Sequence, residues 1–323
     1  MKRIAILLMS LLMTAGLLTA CADKNNRTDN VSEPQQINIQ SLKGPTSMGL
    51  VKLYEDYDKC NETIVAAADS ITASLLKGET DIATLPCNVA ATLYNKSQGK
   101  IKIAAINTLG VLQILSKGDA VSSLEDLKGK TIYTTGQGTT PEYILKSILF
   151  NNGIDPDKDV TIDFSSEATE VLSKVSTIDN AILMLPEPFA TVAITSDENI
   201  KRCIDLNDQW KIINGDHPIV TGVCVVRTDF AQSYPELVNE FLTEYEKSID
   251  YVNSNPKEAS ELIEKYDITK AAIAASALDG CNIHYYDGDD MAEMVMSYLE
   301  ELSNYNMDSI GGSLPDENIF YKK

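Results

Sequence analysis

The fold is decided by the stretch Asp81-Ile82-Ala83-Thr84-Leu85-Pro86-Cys87-Asn88-Val89-Ala90, which has a counterpart at Ala181-Ile182-Leu183-Met184-Leu185-Pro186-Glu187-Pro188-Phe189-Ala190. In each copy, a short apolar run ends at a Leu-Pro pair, and a segment suited to start a helix follows. A strand that turns directly into a helix is the repeating unit of α/β proteins. The sequence therefore predicts two α/β lobes, each with its own sheet.

Working outward from these two copies, short apolar runs alternate with amphipathic segments along most of the chain. Strands are predicted at 37–42, 62–67, 81–85, 101–107, 111–117, 131–134, 160–164, 181–185, 200–205 and 219–227. Helices are predicted at 45–57 and at 69–78, with Asp69 as the cap of the second. Another helix begins at 88, and a further one runs from the turn at 136–141 to about 152. Most of the region after Ser233 is also predicted to be helical. This order predicts mostly parallel sheets and a helical C-terminal region. Residues 37–117 and 219–323 are expected to form lobe one, and residues 118–218 lobe two.

The N-terminus has the organisation of an export signal. Lys2 and Arg3 precede an apolar run of about 15 residues, which is shorter than the roughly 20 needed to span a bilayer. The run ends in Leu18-Thr19-Ala20-Cys21 and resembles the lipobox of bacterial lipoproteins, in which the cysteine is lipidated and becomes the mature N-terminus. The resemblance implies a signal peptide at 1–20 and a lipid anchor on Cys21. Residues 21–36 lack hydrophobic periodicity and are predicted to be a flexible tether.

Charge and cysteine content exclude several classes of protein. The formal net charge is −20, and no basic stripe interrupts it, so binding to nucleic acid is not expected. The five cysteines after Cys21 form no Cys-x-x-Cys pair and no zinc-ligand spacing. The sequence leaves open a single disulfide but cannot pair it. No metal and no cofactor are expected.

Motifs that would indicate catalysis or metal binding are incomplete. Gly129-Lys130-Thr131 ends like a P-loop, but Leu124 occupies the position of its first glycine. Asp155, Asp157 and Asp159 alternate like a calcium loop, but Val160 replaces the glycine of its sharp turn. The two histidines, His217 and His284, lie in no nucleophile motif. The sequence therefore favours a binding protein over an enzyme.

Several motifs, in their order and spacing over residues 37–305, resemble the substrate-binding proteins of ABC importers, in the nitrate, sulfonate and taurine group that also includes thiamine-pyrimidine binders. They are Gly44-Pro45-Thr46, Gly78-Glu79-Thr80-Asp81-Ile82-Ala83, residues 123–130, residues 153–160 and Glu187-Pro188-Phe189-Ala190. The resemblance implies a periplasmic-binding-protein type 2 fold, in which two α/β lobes are joined by two hinge-crossing strands and close over a solute. It also implies a membrane permease and an ATPase as partners, with the binding protein as a monomer held at the extracytoplasmic face of the cell membrane.

Candidate ligand-binding residues follow from the places where strands end and helices begin. Ligands of open α/β sheets bind there, because free backbone N–H groups and the helix dipole face the crevice. In lobe one the candidates are Pro45, Thr46, Ser47, Cys87, Asn88 and Thr108. In lobe two they are Gly138, Thr139, Thr140 and Glu187, with Thr221 near the returning strand. Thr46, Ser47 and Asn88 could instead be helix caps, Cys87 a buried packing residue, and Glu187 a partner of the helix dipole.

The solute class stays open on the sequence alone. Helix N-termini favour an anion such as a sulfonate or carboxylate, whereas Glu187 favours a solute with an amino group, including an aminopyrimidine. Two other functional classes are carried as alternatives. One is an enzyme like the thiamine-pyrimidine synthases of the same superfamily, although their cysteine-rich iron motif is missing here. The other is a surface interaction protein.

Overall fold

The computed structural model describes residues 36–118 and 121–323. The predicted signal peptide, Cys21 and nearly all of the predicted tether lie outside the described residues. No helix among the described residues is long and apolar enough to cross a membrane.

The strands occur at or close to the positions expected from the sequence. They are β1 Ile37–Leu42, β2 Cys60–Val65, β3 Ile82–Pro86, β4 Ile101–Leu109, β5 Leu112–Lys117, β6 Thr131–Thr134, β7 Thr161–Phe164, β8 Ile182–Pro186, β9 Ile200–Asp205, β10 Val220–Arg227 and β11 Ile283–Tyr286.

The helices connect and cover these strands. They are α1 Pro45–Met48, α2 Val51–Asp56, α3 Ala68–Lys77, α4 Cys87–Ser97, α5 Thr140–Asn151, α6 Ala168–Val175, α7 Phe189–Ser196, α8 Leu206–Ile213, α9 Thr228–Ser233, α10 Pro235–Ser254, α11 Pro256–Lys265, α12 Ala271–Ala277 and α13 Gly288–Tyr305. Short 3₁₀ turns occupy Leu124–Leu127, Met307–Ile310 and Glu317–Ile319.

The first sheet has six strands in the order β11-β4-β10-β3-β1-β2. β1 pairs in parallel with β2 and β3, whereas β10 enters antiparallel between β3 and β4, with Val223 opposite Leu85 and Cys224 opposite Ala105. β10 has buried side chains over almost its whole length, as expected for a strand in the middle of a covered sheet.

The second sheet has five strands in the order β7-β6-β8-β5-β9. β6 pairs in parallel with β7 and β8, and β5 runs antiparallel between β8 and β9. β5 therefore belongs to the second sheet, although the sequence had placed residues 111–117 in lobe one. An apolar run shows that a strand forms but not which sheet it joins, and the chain changes sheets at Gly110 and Val111. The sequence had predicted mostly parallel sheets, but each sheet is mixed: β10 and β11 run against their neighbours in the first sheet, and β5 does so in the second.

A continuous apolar core connects the two sheets. One buried cluster includes Ile106 and Val223 of the first sheet and Ile114 and Met184 of the second. A second cluster covers the opposite face of the first sheet, and a third covers the opposite face of the second sheet. Burying each large apolar side chain contributes about 1.5–3 kcal/mol, so this shared core is a main source of stability.

Two local expectations were wrong. The helix predicted at 45–57 is interrupted at Gly49 and Leu50, because Gly49 packs so closely against Ile249 that an added Cβ would lie 2.8 Å from its Cγ1. Asp69 does not cap α3, because Ala67 occupies the N-cap and Asp69 lies in the first turn, where its charge complements the helix dipole.

Candidate functional site

The two chain segments that cross between the sheets meet at Asn207. Its Oδ1 accepts a hydrogen bond from the Ile219 backbone N–H at 3.0 Å, on the returning segment. On the outgoing segment, a Cβ added to Gly110 would lie 2.6 Å from the Asn207 Cβ, so the absence of a side chain permits this approach. Asn282 donates to the Gly110 carbonyl at 2.8 Å. The crossings are therefore held together by side-chain amides.

The hydroxyls of Thr46 and Ser47 are bonded within their own turn. Thr46 Oγ1 donates to the Leu42 carbonyl and Ser47 Oγ to the Gly44 carbonyl, both at 2.9 Å. Both residues are buried, and neither caps α1, whose N-cap is Gly44. The expectation that they could be caps was wrong, because both lie within the first turn of α1, where their hydroxyls donate to preceding carbonyls. Pro45 precedes them and is half-buried.

Thr46 and Thr108 lie in one polar cluster at the end of the first sheet. Asn107 Nδ2 donates to the Thr46 carbonyl at 3.3 Å, and Thr108 Oγ1 donates to Asn107 Oδ1 at 3.0 Å. A Cβ added to Gly222 would lie 2.5 Å from both Asn107 Oδ1 and Thr46 Cγ2, so only glycine fits between them. Thr221 adjoins this glycine and is half-buried.

Candidates from the two lobes converge on Tyr298 of α13. Thr140 at the start of α5 and Cys87 at the start of α4 both lie close enough to its hydroxyl to interact with it electrostatically. Burial raises the pKa of Tyr298 and that of the Cys87 thiol, so both are neutral at physiological pH. The ring of Trp210 in α8 lies 5.9 Å from that of Tyr298 in an edge-on arrangement.

The remaining strand-end candidates are partly exposed but already have partners. Thr139 Oγ1 donates to the Gly136 carbonyl, and the Gly138 N–H donates to Glu142 Oε2, both at 2.6 Å. Asn88 does not cap α4, whose N-cap is Pro86, and its Nδ2 donates to the Ser309 carbonyl at 3.4 Å.

Glu187 lies at the start of α7 and is buried, with only 2% of the residue exposed. One carboxylate oxygen accepts a hydrogen bond from the Thr191 N–H at 3.1 Å, and the other forms an ion pair with Arg202 of β9. Arg202 also donates to Thr191 Oγ1 at 2.7 Å. Glu187 thus complements the helix N-terminus, which was the alternative to ligand contact, and it neutralises an arginine that the sequence reasoning missed.

Arg202 borders a polar cavity of about 270 Å³ between the second sheet and the α12–β11 connection, called here the lateral recess. Its lining residues are Gln113, Arg202, Asp205, Asn207, Asp208, Lys211, Ser276, Asp279, Gly280 and Asn282. An added Cβ at Gly280 would lie 3.0 Å from Glu187 Oε1, so this loop covers the buried carboxylate.

Asp205 is the residue from which the lateral recess could have been predicted in the sequence. It ends β9 and caps α8 by accepting the Asn207 N–H at 2.7 Å, which repeats the strand-to-helix rule applied elsewhere. Its other oxygen accepts from Gln113 Nε2 at 2.7 Å. The α8 helix was not predicted, and its junction was therefore not considered as a site.

The 155–159 loop and the five cysteines after Cys21 all lie within the described residues. The described residues contain no group of three or more side chains suited to hold a metal ion. Asp155 accepts the Asp157 N–H and pairs with Lys158, so that loop is stabilised internally. Cys60, Cys87, Cys203, Cys224 and Cys281 are all free thiols.

Comparison with known proteins gives one family and one shared fold. A family model described as NMT1/THI5 like matches residues 63–259. A protein of Brucella abortus (strain 2308), named only as a candidate binding protein, is 26% identical over 194 residues, which are 58% of this chain and 57% of the relative. The chain thus matches little more than half of that relative's length.

Solved structures resemble the chain over most of its length. The crystal structure of an ABC transporter from Parabacteroides distasonis has a TM-score of 0.76 and 25% identity, covering 90% of this chain and 100% of that chain. The periplasmic aliphatic sulphonate binding protein SsuA from Escherichia coli has a TM-score of 0.71 and 13% identity, covering 90% and 92%. The expected two-sheet binding-protein fold is confirmed.

Proposed function

This chain belongs to the NMT1/THI5-like family, and we propose that it is the solute-binding protein of an ABC importer. It captures a small organic solute between its two lobes and delivers the solute to a membrane permease driven by an ATPase. The observation that carries this proposal is the pair of α/β sheets joined by two crossings, together with one strand-to-helix junction from each sheet, at Cys87 and at Thr140, lying beside Tyr298.

The contacts around Tyr298 support closure over a solute. Trp210 and Thr140 follow strands of the second sheet, whereas Tyr298 belongs to the helix that follows β11 of the first sheet. Such contacts form when two lobes approach and are lost when they separate. A solute that touches both lobes binds the closed form better and shifts the population toward it.

The N-terminal sequence supports attachment to the outer face of the cell membrane. Cleavage before Cys21 and lipidation of its thiol leave the folded body on the tether of residues 21–36. Two or more acyl chains hold a protein stably at a bilayer, whereas a single chain gives only marginal binding. A monomer anchored in this way stays close to its permease.

A thermal-shift panel tests the function directly. The mature protein is melted with alkanesulfonates, nitrate, aminopyrimidines, carboxylates and aromatic acids. A ligand at a thousandfold over its Kd adds about 4 kcal/mol of stability. We expect at least one organic member to raise the melting temperature with saturation. A panel without any saturating shift, together with failure to retain a permease in a membrane pull-down, contradicts the proposal.

A further inference from the structure

Asn282 clamps the point at which the chain leaves the first sheet. Its backbone carbonyl accepts the Leu109 N–H at 3.0 Å, and its Nδ2 donates to the Gly110 carbonyl at 2.8 Å. Its φ of 52° lies in the left-handed region, which asparagine adopts more readily than most residues. One residue thus joins the α12–β11 connection to the outgoing crossing through both its backbone and its side chain.

His284 completes this clamp, and its tautomer follows from the directions of the hydrogen bonds. Its Nε2 lies 3.1 Å from Asn282 Oδ1. Because Asn282 Nδ2 donates to Gly110, Oδ1 is the acceptor and His284 Nε2 carries the proton. The Nδ1 atom of the neutral ring is then the one that takes up a second proton, and the bond to Asn282 is kept in both charge states. Protonation therefore changes the charge beside the crossing but not its hydrogen bonds.

A cation that follows the second sheet acts on this ring of the first sheet. Lys211 of α8 interacts with His284 electrostatically, and Lys211 and Asn282 line the same recess. Burial, with a smaller contribution from Lys211, lowers the pKa of His284. Asp208 lies 3.6 Å from Lys211 and offsets part of its charge. A proton on His284 would thus place two like charges across the boundary between the two sheets.

The other titratable groups around β11 do not offset this repulsion directly. The ring of Tyr286 stacks against His284, with centroids 5.9 Å apart. Asp287 and Glu246 interact with Tyr285, whose side chain points to the opposite face of the strand. The residues of β4 that pair with β11 are uncharged, as are those of α1. The lateral recess also contains the charges of Arg202, Asp205 and Asp279.

We propose that His284 is a pH-sensitive switch of the hinge, in which a proton on Nδ1 repels Lys211 and favours the open form. This inference rests on the lobe movement of the proposed function and adds its regulation. In the open form the ring is better hydrated and farther from Lys211, so it binds a proton more readily. Each unit by which the pKa of His284 differs between the two forms multiplies the ratio of open to closed protein by about ten on full protonation. A solute that binds the closed form is therefore released more readily in acid.

Acrylamide quenching of Trp210 fluorescence tests the switch without any solute, because this buried ring is reached mainly in the open form. The mature protein is measured at about pH 7.5 and about pH 5, on either side of the histidine range, and far-UV circular dichroism checks that it stays folded. We expect the quenching constant to rise about threefold or more in acid, which corresponds to a pKa difference of about half a unit. His284→Gln keeps a donor for Asn282 Oδ1 but cannot titrate, and should lose the increase.

Lys211→Gln is the second test, at a side chain that is 36% exposed and does not threaten folding. It should reduce the increase in quenching and raise the midpoint of His284 in an NMR titration toward its ordinary value. His217→Gln is the matched control. It removes the other histidine, which lies 3.8 Å from Glu293 on the returning crossing, and should keep the whole increase.

Four results would each overturn the switch. They are a quenching constant that does not change with pH, an increase that survives in His284→Gln, an increase that is lost in His217→Gln, and a pH response that Lys211→Gln leaves unaltered. A neutral His284 ring that carries its proton on Nδ1 in the NMR spectrum would also contradict it. The thermal-shift panel is run at neutral pH, so a saturating solute found there would leave the solute-binding function standing.

Discussion

Asn207 and Ile219 are joined by a hydrogen bond from a backbone N–H to a side-chain oxygen at 3.0 Å, and both residues are buried. The bond ties α8 to the segment that returns to the first sheet. Because the same side chain contacts Gly110 on the outgoing segment, one residue sets the spacing of the two crossings.

Asn207→Leu should therefore destabilise the protein. The Ile219 N–H loses its buried acceptor, and an unsatisfied buried donor costs about 1–3 kcal/mol of unfolding free energy. Urea denaturation measures the change. Asn304→Leu is the control, because Asn304 is exposed and makes only a long contact to Glu301, and it should change stability by less than about 0.5 kcal/mol. Equal midpoints for the Asn207 variant and the wild type would show that the hinge does not depend on this bond.

Trp210, the single tryptophan of the chain, should report lobe movement. It is buried against Tyr298 and becomes exposed when α8 and α13 separate. Adding a true solute to the unliganded protein should shift its fluorescence to shorter wavelength and reduce the radius of gyration in small-angle scattering. Tyr298→Phe preserves the ring but removes the interaction of its hydroxyl with Thr140, and should retain the spectral change with weaker closure. A tight solute that alters neither signal would contradict the hinge model.

The Glu187–Arg202 pair should contribute measurably to stability. Arg202→Gln leaves a buried carboxylate without its cation and should cost about 1–3 kcal/mol, a value reduced from that of a fully buried pair because Arg202 is 40% exposed. The double variant with Glu187→Gln should recover part of the loss. A double-mutant cycle by chemical denaturation measures the coupling, and a coupling near zero would reduce the pair to an incidental surface contact.

His284 should make stability depend on pH below neutrality. Burial, with a smaller contribution from Lys211, lowers the pKa of His284 below its ordinary 6.5. The unfolded chain therefore binds a proton more readily, and stability is lost as the pH falls from about 6.5 toward the lower folded pKa. His284→Gln should flatten the melting temperature across this window. An NMR titration resolves the histidine signals, since the chain has only two; a midpoint at or above 6.5 would refute the expectation.

Cys21→Ser tests the anchor. Without a thiol to lipidate, the variant should lose labelling by a fatty-acid probe and leave the detergent-extracted membrane fraction. Cys60→Ser, which alters a cysteine of the folded body, is the matched control and should stay labelled. Persistent labelling of the Cys21 variant would rule out the lipobox interpretation.

Local sequence patterns predicted much of the fold, because strand periodicity is a local property. The bounds of β1, β6 and β9 agree residue for residue with the expected ones. Pairing order is not local, so the position of β5 was wrong, and β11, a four-residue strand containing His284, was missed. The site was predicted least well, since the partnership of Glu187 with Arg202 depends on how β8 and β9 flank β5.

The insertion of β10 between β3 and β4 also determines the order in which the chain can fold. β3 and β4 are consecutive strands in the chain, yet they are not paired with each other, and each pairs instead with β10 at residues 220–227. A chain that emerges from its N-terminus can complete the second sheet first, while the first sheet waits for its central strand. Such distant pairing slows folding. For the export proposed above, this delay keeps the first sheet from closing early and obstructing passage through a translocation channel.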